Sequence, residues 1–108
     1  MGQERRYAWS WTIKEECLHE YVEMHLNPWS EIMTEHSKAG IHDYSISGKA
    51  TSSSIVFKCA DVDSAFNYLA DSDVRQRWNA ITTKMVEESF DLGEEHPIEF
   101  LPEVFRLE

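Results

Sequence analysis

A chain of 108 residues with 42% apolar and 12% aromatic residues has the length of one domain, residues 1–108. About two-thirds of the unfolded surface of such a chain is buried on folding, enough for one core, and the apolar share argues against disorder. The formal net charge of −10 argues against binding nucleic acid or an anionic membrane, since both need a basic patch.

Tyr7–Ile13 alternates large with small side chains, and its aromatic and β-branched residues read as a strand with two different faces. It is too short and too polar for a signal or a membrane span. From Glu15, the residues Leu18, Tyr21, Val22, His25 and Leu26 recur at helical spacing. Asn27-Pro28 interrupts that pattern, because proline has no N–H and rarely sits inside a helix; Asn27 is a good N-cap for a restart. Ile32, Met33 and His36 continue the period to Ala39, and Gly40 is a natural stop. One long broken helix, or two in close succession, is expected.

Ile41–Ser47 alternates again, with His42, Tyr44 and Ile46 on one face and Ile41, Asp43 and Ser45 on the other. Gly48–Ser53 supplies a hairpin turn with a longish tip, and Ser54–Ala60 is the next strand. Asp61 or Asp63 caps a helix through Ala65, Phe66, Tyr68 and Leu69. Ser72 or Asp73 caps another, with Val74, Trp78, Ile81 and Met85 on one stripe. Phe90–Pro97 reads as a polar loop and Glu103–Leu107 as a short last strand. The order strand, helix, strand, strand, helix, strand is the ferredoxin-like βαββαβ pattern. It predicts an α+β fold, an antiparallel four-stranded sheet with helices on one face. The other sheet face would be bare. Trp9 and Trp11, or their neighbours on adjacent strands, are too apolar to leave wet, so two sheets packed face to face, a homodimer, are expected.

Cys17 and Cys59 lie far apart with no C-x-x-C pattern. Two free thiols and no secretory signal point to the cytoplasm. The acids from Glu87 to Glu108 lack calcium-loop spacing and read as a solvated rim. No bound metal is expected, because the five histidines form no H-x-x-x-H pair; His19 and His96 read as exposed. Activated serine or cysteine motifs and Gly-rich phosphate loops are absent as well. Acid–base chemistry and binding remain. Tyr21 and His25 are one turn apart on one helix face, which suits either a small-molecule site or a half-buried helix interface. His25 can exchange a proton near neutral pH. Aromatic faces with histidine, tyrosine and arginine beside them suit a monosaccharide. His42 and Tyr44 share a strand face, and Trp78, near Arg75 and Arg77, fits either such a site or plain core.

Four stretches in order carry a family resemblance: EYVEMHLNPWSE from Glu20 to Glu31, GIHDYSI from Gly40 to Ile46, SDVRQRW from Ser72 to Trp78, and EVFRL from Glu103 to Leu107. Together they make the chain resemble the L-rhamnose mutarotase family from about Arg6 onward. The resemblance implies a dimeric ferredoxin-like α/β barrel, interconversion of the α and β anomers of a 6-deoxy sugar, and no cofactor. It implies His25 as proton donor and Tyr21, Tyr44 and Trp78 as sugar-binding residues. His42 is expected to buttress Tyr44 or take a second proton. Asn79, where bacterial members carry a second tryptophan, joins the expected sugar contacts, and Leu26 between His25 and Asn27-Pro28 is a further departure. The competing expectations are an L-fucose mutarotase, a small monooxygenase of the dimeric α/β-barrel kind, and a sugar-binding relative without turnover.

Overall fold

A computed structural model describes residues 4–87 and 99–107 of the chain. The loop expected over Phe90–Pro97, with His96, lies outside the described residues. Three strands form one antiparallel sheet in the order β1–β3–β2: β1 (Arg5–Thr12), β2 (His42–Lys49) and β3 (Ser52–Cys59). The alternation seen in the sequence fixes its faces. Tyr7, Trp9 and Trp11 stand opposite Phe57, Ile55 and Ser53. Trp9, Ile55, Phe57 and Cys59 form one core with Ile41, Ala65 and Leu69, and Tyr7 and Trp11 pack against it. The opposite row, with Ser10, Ser54, Val56, Ser45 and Ser47, is exposed and built mostly of small side chains. Trp9 and Trp11 therefore belong to the covered face, not to the bare one on which the sequence argument for a second sheet relied.

Only Ala50 and Thr51 separate β2 from β3, so the hairpin tip is tighter than expected. Ala50 takes the left-handed conformation (φ 51°) that such a tip demands. The second departure is a bulge. His42 pairs with Lys58 but Ser45 with Val56, so one extra residue is inserted between them, and Asp43 adopts φ 49°. Aspartate tolerates this conformation better than most residues. The insertion reverses the alternation before Tyr44: Ile41 enters the core at 4% exposure and His42 is turned to the Lys58 row. Burying isoleucine contributes about 1.5–3 kcal/mol, whereas burying an imidazole without a partner costs free energy.

The expected break at Asn27-Pro28 gives two helices, α1 (Leu18–Leu26), preceded by a 3-10 turn over Glu15–Cys17, and α2 (Ser30–Lys38). Asn27 closes α1, and Trp29 rather than Asn27 is the N-cap of α2. Proline disfavours helical backbone in the residue before it, which moves the restart past Pro28. Gly40 follows at φ 91°, the left-handed stop its position demands. Helix α3 (Val62–Ala70) is capped by Asp61, whose Oδ1 accepts from Ser64 N–H at 3.1 Å, and α4 (Asp73–Thr82) by Ser72, whose Oγ accepts from Arg75 N–H at 3.2 Å.

Among the described residues the sheet has three strands, not four. Glu103–Leu107 forms no ladder: Val104, Phe105 and Leu107 are 93%, 79% and 83% exposed. The last stretch touches the sheet edge through Leu101 N–H, which donates to the Ala8 carbonyl at 2.7 Å, and through Phe100, whose ring meets Tyr7 at 5.1 Å. A strand needs both a ladder partner and a covered face, and the described residues offer the tail neither. An isolated bridge joins Ile13 to Val86 beyond the end of β1. Among the described residues no helix is long and apolar enough to cross a membrane.

Candidate active site

Between the covered sheet face and α1, α2 and α4 lies a cavity of about 850 Å³ whose walls include Trp11, Tyr21, His25, Tyr44, Trp78 and Asn79. His25 is placed by the last turn of α1. Its Nδ1 lies 2.7 Å from the carbonyl of Tyr21, four residues back. A carbonyl can only accept, so Nδ1 carries the hydrogen and donates it. In the neutral ring Nε2 then keeps a lone pair. Burial pushes the His25 pKa below the ordinary histidine value, partly opposed by the bond to the Tyr21 carbonyl, so the ring is mostly neutral at neutral pH.

Aromatic neighbours hold that imidazole. Its centroid is 4.3 Å from the Tyr21 ring and 5.5 Å from Trp78, which meets it edge-on at 81°. Trp78 in turn packs edge-on against Trp29 at 5.1 Å. Both readings of Trp78 hold together: it is 9% exposed and it forms cavity wall. Tyr21 is buried, and its hydroxyl accepts from Trp11 Nε1–H at 3.0 Å and shares a hydrogen bond with Ser53 Oγ at 3.3 Å. Burial raises the Tyr21 pKa, so the hydroxyl stays protonated. This network ties α1 to β1 and β3 beneath His25.

At another part of the wall stand His36, Tyr44 and Arg75. His36 repeats the device of His25: it sits in the last turn of α2 and its Nδ1 donates to the Ile32 carbonyl at 2.7 Å. The His36 ring meets Tyr44 at 5.5 Å, and Tyr44 stacks on Phe57 at 6.0 Å. Burial lowers the His36 pKa, and nearby Arg75 lowers it further. Tyr44 keeps 43% of its surface open, yet protein atoms around its hydroxyl raise its pKa well above the usual tyrosine range. The site expectation left out His36. The signal was present in the sequence, since Ile32 and His36 repeat the four-residue spacing of Tyr21 and His25.

Of the expected site residues, the fold brings His25, Tyr21, Trp78, Asn79 and Tyr44 to one cavity. His42 contributes to the same wall, but the bulge removes it from the Tyr44 row, and its Nε2 pairs with Glu4 near the start of β1. The expectation that His42 and Tyr44 share a face is thereby corrected. Among the described residues no cluster of three or more His, Cys, Asp or Glu side chains is arranged to hold a metal ion.

A protein-family model described as L-rhamnose mutarotase matches residues 6–107. A crystal structure of L-rhamnose mutarotase from Formosa agariphila superimposes with a TM-score of 0.74 over 96% of this chain and 99% of that one, at 20% identity, a likeness of fold. No curated protein matches the chain significantly. The family match spans nearly the whole sequence, and the chain belongs to the L-rhamnose mutarotase family, enzymes that interconvert the anomers of this sugar.

Proposed function

We propose that His25 moves both protons of the anomer exchange. The observation that carries this is its fixed tautomer, with Nδ1–H held by the Tyr21 carbonyl at 2.7 Å. Nε2 is left as the free acceptor on a residue of the cavity wall. In the reading we favour, Nε2 takes the proton of the anomeric hydroxyl. The bond from C1 to the ring oxygen then breaks as the C1 carbonyl forms, and the imidazolium returns the proton to the released ring oxygen. The open-chain aldehyde rotates about C1–C2, and the same steps in reverse close the ring on its other face. One proton leaves the anomeric oxygen and one reaches the ring oxygen, so neither cofactor nor net charge change is required. His25 is a proton donor in the second step because it is a base in the first. Positioned proton transfer of this kind supplies about 10²–10⁴-fold.

The other roles follow from chemistry. Trp78 offers its edge and face to the sugar's C–H surface, Asn79 an amide, and Tyr44 a hydroxyl that burial keeps protonated. Tyr21 holds His25 and forms cavity wall beside it. Val22, Leu26 and Met33, 44%, 69% and 57% exposed, also line the cavity and suit the C6 methyl of a deoxy sugar. The substrate we favour is L-rhamnose. Saturation-transfer NMR on L-rhamnose should show anomer exchange that collapses to the uncatalysed rate in His25→Gln; exchange as fast as in the unmodified chain would sink the assignment.

The proposed assembly is a cytoplasmic homodimer with a ferredoxin-like arrangement completed across two copies. It is supported by the exposed Val104, Phe105 and Leu107, which no described residue covers, and by a sheet face of small side chains. The two unpaired cysteines fit a reducing compartment. Sedimentation at micromolar concentration should give twice the chain mass, and a mass of one chain would remove the dimer.

A further inference from the structure

Arg75 stands out among the residues of the cavity wall. Its guanidinium carbon lies over the Phe66 ring at 5.6 Å from the centroid, and the side chain makes no hydrogen bond or ion pair among the described residues. Three acids of the surrounding elements have other partners: Asp73 with Arg77 at 3.1 Å, Asp43 with Lys58 at 3.4 Å, and Glu35 with Lys38 at 4.0 Å and the Tyr68 hydroxyl at 3.3 Å. In a chain with a net charge of −10, a half-buried arginine facing a cavity has no counter-ion among the described residues. Packing on a phenylalanine offsets part of the desolvation, but the cation's strongest partner would be an anion.

Its neighbours fit that partner. The Tyr44 hydroxyl can donate to it, whereas His36, with Nδ1–H already committed to the Ile32 carbonyl, presents an acceptor at Nε2 in its neutral form and suits a neighbouring sugar hydroxyl. Arg75 is one helical turn before Trp78, so the two share a face of α4, about 5–6 Å apart at Cβ. Trp78 abuts His25. Arg75 and His25 thus both neighbour Trp78 on the wall of one cavity.

We propose that Arg75, with the Tyr44 hydroxyl, forms an anion-reading subsite, so that this cavity also accepts aldoses bearing an anionic oxygen group, a carboxylate or a phosphate, at the far end of the ring from C1. Arginine's fork matches both groups by paired N–H donors. The inference rests on the reading of the cavity as a sugar site. It adds acidic aldoses to the substrates of the same anomer exchange.

The test compares L-mannuronate and L-mannose 6-phosphate with L-mannose, all of the ring configuration of L-rhamnose, by ligand-observed NMR titration of the full chain. The acid or the phosphate should bind at least tenfold tighter than L-mannose, and the larger gain identifies the anionic group. Arg75→Gln should cut that preference by about tenfold to hundredfold, the scale of hydrogen bonds to charged groups, and Arg75→Lys should restore part of it. Equal binding of acid and neutral sugar by the unmodified chain overturns the proposal without any variant, and so does a preference that Arg75→Gln leaves intact. L-rhamnose exchange measured alongside separates the two readings. Exchange with no preference for anions removes the subsite alone. An Arg75-dependent preference without L-rhamnose exchange keeps the subsite and removes the proposed mutarotase mechanism.

Discussion

His25 and His36 use one local device in two surroundings. Each closes a nine-residue helix, each donates Nδ1–H to the carbonyl four residues back at 2.7 Å, and each lines the same cavity. Around His25 lie the rings of Tyr21 and Trp78, with no formal charge among its ring neighbours. Around His36 lie Tyr44 and the charges of Arg75 and Glu35. The helix end fixes the tautomer in both places, and the neighbours then decide its use. In the proposed reading, the aromatic faces around His25 leave its lone pair for proton transfer, whereas His36, beside a guanidinium, serves in binding.

The sharpest way to break this comparison is to remove each ring. His25→Gln should lower the saturation-transfer rate by about 10²–10⁴-fold, and His36→Gln should lower it less and through KM. Equal losses in kcat would mean that the surroundings do not divide the labour. Next in size is the support under His25. Tyr21→Phe removes the hydroxyl that Trp11 Nε1–H and Ser53 Oγ both meet, and should cost about 1–3 kcal/mol of stability in urea unfolding. Ser72→Ala removes the cap of α4, which carries both Arg75 and Trp78, and should cost about 1 kcal/mol by the same measurement.

The smallest effect is shared by both rings. Each has its folded pKa lowered by burial, so the unfolded chain binds protons there more readily. Their contribution to stability is fully present above the unfolded histidine value of about 6.5. It is lost as pH falls through the lowered folded values. Urea midpoints measured from about pH 7.5 down to about pH 5.5, above the main carboxylate range, should fall toward acid. The fall should be shallower in either glutamine variant.

Local signals were legible in the sequence where one residue type has one cheap use. Asp61, Ser72 and Gly40 stand where capping chemistry places them, and Asn27-Pro28 divides the helices. Helical spacing put Tyr21 and His25 on one face, which the cavity wall shares, while Trp78 was open between site and core on its pattern and Asn79 entered only through the family resemblance. His36 was hidden because its partner is a backbone carbonyl, which leaves no mark in a side-chain pattern. The last strand was misread because alternation in EVFRL says which side chains could share a face, but a ladder also needs an edge and a cover. His42 was misplaced because a reading of period two assumes that no residue is inserted.

That inserted residue has a consequence for how this chain can change. Asp43 reverses the parity of β2, so side chains before it and after it answer to different constraints. Tyr44 and Ile46 face the cavity and the sheet core, Ile41 fills the core on the other side of the insertion, and His42 reaches both the cavity wall and Glu4. Deleting one residue at Asp43 would restore a single parity and exchange the places of Ile41 and His42, whereas a substitution there leaves both where they are.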